Sequence, residues 1–163
     1  MDSSLELNSY LVLKGLHILG VVLFLGNIIV TAWWKVMADR TRHPGIVAFA
    51  QRQVTLTDFI FTATGAGLII GTGMLQVIQQ GIDVQATYWL SWGYGLFIAS
   101  GIIWAAVLVP LQWKQAKLAK TFGKEQAIPE RYWQLNKLWM GFGMLATVLP
   151  LLNIYWMVFK PLA

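Results

Sequence analysis

The chain has 163 residues, of which 57% are hydrophobic and only 12% are charged, with a net charge of +5. A soluble domain has about 25% charged residues, so this composition excludes a water-soluble globular protein and indicates an integral membrane protein. The sequence contains no cysteine, which excludes disulfides, thiolate metal sites and cysteine nucleophiles.

Four apolar segments are each long enough to cross a bilayer, which takes about 20 residues. In chain order they cover residues 10–34, 54–80, 88–113 and 137–160. The first follows an acidic N-terminus and is too long for a signal-peptide core, so it is predicted to be a retained span. We therefore predict an all-α fold, in which residues 1–163 form a single transmembrane domain, an up-down-up-down four-helix bundle.

Positive charges between the segments predict the orientation. The loops 35–53 and 114–136, together with Lys137 at the edge of the second, contain ten of the twelve lysines and arginines, whereas the link 81–87 contains none. Because positively charged loops stay in the cytoplasm, both basic loops are predicted to be cytoplasmic and both termini periplasmic. The basic character thus indicates topology, and no nucleic-acid partner is predicted.

The first segment carries two ionisable residues, Lys14 and His17, within an apolar run. At about 100° per residue, they share one face with Tyr10, Gly20, Phe24, Asn27 and Thr31, and nearly every polar residue of the span lies on that face. Lipid cannot solvate such groups, so this stripe is predicted to face protein or trapped water.

The second segment has two different faces. One is polar and comprises Asp58, Thr62, Gly65, Thr72 and Gln76, and the opposite one comprises Ala63, Gly67, Gly71 and Met74. Small residues at four-residue spacing allow close helix approach, so the Ala63/Gly67/Gly71 face suits either a neighbouring helix or a homodimer. Asp58 is expected to pair with Lys35 or Arg52 or to cap the helix, with a proton-relay role as the alternative.

Two interpretations of His17 remain open. It is either a neutral imidazole bonded to a carbonyl of a neighbouring helix, or an iron ligand, since intramembrane ionisable groups are often functional. Lys14 either reaches the headgroups or holds an anion such as a heme propionate. The candidate cofactor-binding residues, which are predicted to lie at similar depths or on the same face, are His17, Lys14, Gly20, Phe24, Met74, Gln76 and Asn153.

His43 is the only other histidine and follows His17 by 26 residues. That separation is about 39 Å along a continuous helix, which places His43 at the opposite membrane surface. One chain therefore cannot supply two histidines to one iron, and a sixth ligand would be Met74, an amide, water or a residue of a second chain.

The stretch Leu13-Lys14-Gly15-Leu16-His17 resembles the Lys-x-x-His opening of HemJ-type protoporphyrinogen oxidases and, more loosely, that of CopD-type membrane proteins. This resemblance implies that His17 ligates heme and that Lys14 lies beside the porphyrin. The chain departs from the HemJ-type pattern at Trp33-Trp34-Lys35-Val36-Met37-Ala38-Asp39-Arg40, where those proteins have an arginine and a further histidine.

Most of the chain is similar to small bacterial four-span proteins of a domain-of-unknown-function family. The matching stretches are LKGLHILGVVLFLGNIIVTAWWKVMADR, TLTDFIFTATGAGLIIGTG and WAAVLVPLQW. This likeness implies a multi-pass protein of the bacterial inner membrane.

Two functions follow as hypotheses. The first is a heme b-binding protein with His17 as axial iron ligand, which transfers electrons or oxidises a quinone- or porphyrin-like substrate as a heme-dependent membrane oxidoreductase. The alternative is a non-enzymatic protein of membrane assembly, partner binding or metal or ion transport, without heme. No soluble-enzyme motif such as HExxH or GxSxG is present.

Overall fold

A computed structural model describes residues 3–123 and 127–161, with side chains from residue 8 onward. Its helices are α1 (Ser3–Arg40), α2 (Pro44–Thr57), α3 (Ala63–Gln80), α4 (Tyr88–Ile103), α5 (Val109–Ala119) and α6 (Glu130–Phe159). A π-helical segment, Asp58–Thr62, joins α2 to α3, and a second one, Trp104–Leu108, joins α4 to α5. Over these described residues all regular secondary structure is helical, and there is no strand.

Four continuous helices of the described chain are long and apolar enough to cross a membrane, namely Asn8–Arg40, Pro44–Gln80, Tyr88–Ala119 and Glu130–Phe159. The predicted all-α, four-span fold is therefore confirmed. One end of the bundle carries the turn 41–43 and the connection between α5 and α6. We call it the basic end. The opposite end, where α1 begins and α6 ends, is the terminal end. That the basic end faces the cytoplasm stays a prediction.

The helices extend well into the two stretches that were predicted as loops. α1 continues to Arg40 and α2 begins at Pro44, so only Thr41–His43 connects them. Proline suits the first turn of a helix because its missing N–H has no helical partner there. The His43 side chain caps this helix by accepting a hydrogen bond from the Ile46 N–H at 3.4 Å. The basic residues Lys35 and Arg40, which follow the apolar run, therefore still belong to helix α1.

The bundle is closed at the basic end and more open at the terminal end. α1 packs on α3 and α4 packs on α6 along the terminal half, while α2 and α5 join α1 and α6 in a ring at the basic end. In the described chain, α4 does not come within 8 Å of α1 or α3 between Cα atoms. The rings of Phe24 and Phe97, with centroids 5.7 Å apart, bridge the two helix pairs instead.

Two glycines set the close approach of α1 and α3. A Cβ added at Gly65 would lie 2.7 Å from the backbone nitrogen of Phe24 and 2.8 Å from the carbonyl oxygen of Gly20. No larger side chain fits between two backbones at this distance. The polar face of the second span, to which Gly65 belongs, is consequently the face that packs on α1.

Candidate functional site

His17 lies in the terminal half of α1, half-buried against α3. Its Nδ1 is 3.0 Å from the hydroxyl oxygen of Thr72, and that hydroxyl donates its own proton to the carbonyl of Leu68. Thr72 therefore accepts from His17, so the imidazole carries its proton on Nδ1 and a lone pair on Nε2. The main-chain carbonyl of Ile69 also lies beside the ring. The imidazole is thus oriented by α3 rather than free in lipid.

Two further candidate residues, Lys14 and Gln76, have different surroundings in the structure. Lys14 is exposed one turn toward the terminal end, with its ammonium 5.9 Å from the ring centroid of Tyr10. Gln76 donates to the main-chain oxygen of Thr72 at 3.3 Å. Gln76 therefore lies one turn beyond Thr72 on the same face of α3, and Lys14 is exposed.

The α1–α3 contact leaves no room for a flat macrocycle between the two helices. A Cβ at Gly20 would lie only 2.9 Å from the Cβ of Leu68, so helix packing takes up the room that this glycine provides. Phe24 is buried and packs on Phe97. A ligand of the His17 imidazole must accordingly sit beside the α1–α3 pair and not between its two helices.

Met74 and Asn153 do not join His17. Met74 is 52% exposed and follows Thr72 by two positions, about 200° around the helix, so its sulfur faces away from the imidazole. Asn153 packs against Gly93 at the α4–α6 contact, and its buried Oδ1 has no hydrogen-bond donor. Met74 was one of four sixth ligands considered from the sequence, and helical geometry separates its sulfur from the His17 imidazole within a single chain.

A polar cluster lies at the basic end, and the analysis of the sequence did not predict it. Its members, which we call the basic-end cluster, are Lys35, Asp39, Gln51, Tyr132 and Asn136. Lys35 is 0% exposed, donates to the Tyr132 hydroxyl at 2.8 Å and lies 3.4 Å from the Asp39 carboxylate. Asn136 donates to the same carboxylate at 3.0 Å, and the Tyr132 hydroxyl is 3.3 Å from Oε1 of the Gln51 side chain.

Aromatic rings complete the surroundings of the buried lysine. The Lys35 ammonium is 5.1 Å from the ring centroid of Tyr132 and 5.5 Å from that of Trp139. Ring faces attract a cation most strongly where water is excluded. The buried Lys35 ammonium is therefore held by side chains of α1 and α6, and α2 contributes Gln51 to the Tyr132 hydroxyl.

The two π-helical segments meet at a buried carboxylate. Oδ2 of Asp58, the first residue of one segment, accepts from Nε1 of Trp104, the first residue of the other, at 2.9 Å. Gln112 donates to the same oxygen at 2.8 Å, and its own Oε1 is buried without a partner. Deeper in the bundle, Asn27 donates to Thr62 at 2.9 Å. π-Helical segments in helices are frequent at functional sites.

The expected ion pair of Asp58 with Lys35 or Arg52 is wrong. Lys35 pairs with Asp39, which lies one helical turn further along α1 and needs no tertiary contact to reach it. Among the side chains that the structure describes, no lysine, arginine or histidine lies within 4.0 Å of the Asp58 carboxylate. Amide and indole N–H groups hold this carboxylate instead. In the sequence, the one indication of this partner was Gln112, a polar residue at the end of an apolar run.

Comparisons with curated proteins and with solved structures found no match. Residues 11–161 match the model of the family described as "Predicted integral membrane protein (DUF2269)". This match covers nearly the whole chain and agrees with the four membrane-spanning helices of the structure. The resemblance to a four-span membrane family is thus confirmed, and the chain belongs to this family of integral membrane proteins.

Proposed function

We propose that this multi-pass membrane protein binds heme b with His17 as axial ligand, in a bacterial inner membrane. Its role would be electron transfer or oxidation of a quinone- or porphyrin-like substrate. The observation that supports this best is the hydrogen bond between His17 and Thr72. A histidine that ligates metal commonly donates its other ring N–H to an acceptor, which fixes the tautomer and the ring orientation. The Thr72 hydroxyl is the corresponding acceptor for His17.

The residues of the chain fit one axial ligand. Thr72 holds the His17 ring with the Nε2 lone pair available, and the exposed ammonium of Lys14, one turn away, suits a propionate carboxylate. Bound heme would supply one-electron chemistry at this site.

The proposal is tested by the absorption spectrum of protein purified from heme-replete cells. We expect a Soret band and a reduced-minus-oxidised difference spectrum in the wild type, and loss of both in His17→Ala. The matched control is His43→Asn, which removes the second histidine at the other end of the bundle and keeps a residue that caps helices well. This control should retain the spectrum. A colourless wild-type protein, or an unchanged His17→Ala spectrum, contradicts heme binding.

A second candidate is membrane assembly through a homodimer, and one observation favours it. A Cβ added at Gly67 or Gly71 meets nothing within 4 Å, so this small-residue face of α3, with Ala63, is open in the single chain. In lipid, helices associate by such close backbone approach.

We expect Gly71→Ile to convert a wild-type dimer into a monomer, because the branched side chain prevents close approach of a second copy. The measurement is chemical cross-linking in bilayers combined with size-exclusion chromatography in detergent. Gly95→Ile on α4, where a Cβ is equally free, is the control and should stay dimeric. A monomeric wild type in both assays would remove this candidate.

A further inference from the structure

A cavity of about 400 Å³ opens at the basic end, between the end of α1 and the beginning of α6. It is lined by Val36, Asp39 and Arg40 from α1, by Arg42 from the following turn, and by Trp133, Asn136 and Met140 from α6. We call it the basic-end pocket. It lies where membrane-spanning helices leave the apolar region, which is the level of lipid headgroups.

The pocket carries an excess of positive charge. In the described chain, neither Arg40 nor Arg42 has a carboxylate within 4.0 Å of its guanidinium group. The carboxylate of Asp39 is already engaged by the buried Lys35 and by the amide of Asn136. Two arginines therefore line the cavity without a carboxylate partner among the described residues, and the fixed N–H donors of a guanidinium group suit phosphate oxygens.

Arg42 occupies a backbone position that an arginine adopts only with strain. Its φ is 54°, in the left-handed region, and its N–H closes the end of α1 by donating to the carbonyl of Asp39 at 3.2 Å. Glycine is the usual residue in this conformation. The turn directs the Arg42 guanidinium over the ring of Trp133, with 4.6 Å between the guanidinium carbon and the ring centroid. Strained residues of this kind occur at ligand-binding sites.

The lining changes from charged to apolar with depth. Arg42 and Arg40 are the shallowest residues on the α1 side, and Val36 lies about 6 Å deeper, one turn back along the helix. On the α6 side, Trp133 is shallow and Met140 is the deepest lining residue. A phospholipid has the same polarity profile, with a phosphate at the boundary and hydrocarbon below it.

We propose that the basic-end pocket binds the phosphate group of an anionic phospholipid, with Arg40 and Arg42 on the phosphate and with Val36 and Met140 against the apolar part. The Arg42 guanidinium lies over the ring of Trp133, and both residues line the cavity. The site is separate from His17, which lies at the other half of α1, and does not depend on heme.

The test compares binding of short-chain phosphatidylglycerol, short-chain phosphatidylcholine and inorganic phosphate to the purified protein, by thermal shift and native mass spectrometry. We expect phosphatidylglycerol to bind the wild type, and Arg42→Gly to weaken this binding at least tenfold. Because glycine relieves the left-handed strain, the lipid-free stability of Arg42→Gly should equal or exceed that of the wild type. Arg42→Lys should lose part of the binding, since it keeps the charge without the planar fork.

Arg52→Gln is the matched control, because Arg52 is an exposed basic residue of α2 outside the pocket. It should bind phosphatidylglycerol as the wild type does. If inorganic phosphate alone binds, and does so only when Arg42 is present, the arginines recognise a phosphate group that comes from a soluble ligand and not from a lipid. Equal binding of phosphatidylcholine, equal loss in Arg52→Gln, or unchanged binding in Arg42→Gly would each overturn the proposal.

Discussion

Replacing Lys35 with methionine is expected to lower the free energy of unfolding by about 3–5 kcal/mol, the usual cost of removing one partner from a buried ion pair. The side chain is 0% exposed and lies 3.4 Å from the Asp39 carboxylate. Methionine has a similar volume, so the loss reports charge and hydrogen bonding more than an empty cavity. It leaves Asp39 without a counter-charge and the Tyr132 hydroxyl without the donor that is 2.8 Å away.

Two controls separate this effect from a general loss of packing. Lys14→Met changes the exposed lysine of the same helix and should alter stability little. The double variant Lys35→Met with Asp39→Asn removes both charges and keeps an acceptor for Asn136, so it should recover more than half of the loss. Reversible unfolding in mixed micelles measures all three variants. A single Lys35→Met variant as stable as the wild type would mean that the basic-end cluster contributes nothing to folding.

Alanine at Gly65 is expected to destabilise the protein by about 1–3 kcal/mol, the range for overpacked sites. The atoms nearest to the new methyl group would be the Phe24 nitrogen at 2.7 Å and the Gly20 oxygen at 2.8 Å. Both belong to the backbone, so no side-chain rotation relieves the clash and α1 must move away from α3. This shift would also lengthen the bond between His17 and Thr72, two turns further along α3.

Gly67→Ala is the matched comparison, two residues further along the same helix. A Cβ there meets nothing within 4 Å, and alanine favours a helix over glycine by up to about 1 kcal/mol. The same unfolding measurement should therefore show opposite signs for the two substitutions. Equal effects at Gly65 and Gly67 would contradict the close α1–α3 contact.

The lysines of α1 illustrate where sequence reasoning stops. Lys14 stands out in the sequence because it interrupts an apolar run, and Lys35 looks like an ordinary loop residue after two tryptophans. In the structure, Lys14 is exposed and Lys35 is fully buried. The helix continues past the predicted span end, and α2 and α6 close around it there. Burial of Lys35 depends on Gln51 and Tyr132, which are distant in sequence.

Apolar length and one polar stripe were enough to predict four spans and most of the inward face of α1, because the length of an apolar run and helical periodicity can be read from neighbouring residues; Lys14, which is exposed, is the exception. The same pattern drew attention to His17, whose role as a heme ligand stays a prediction. The two π-helical segments, the Asp58–Trp104 contact and the basic-end pocket had no comparable signal. Each arises where backbones from different spans meet, so its geometry depends on how the helices pack and not on the order of residues in any one of them.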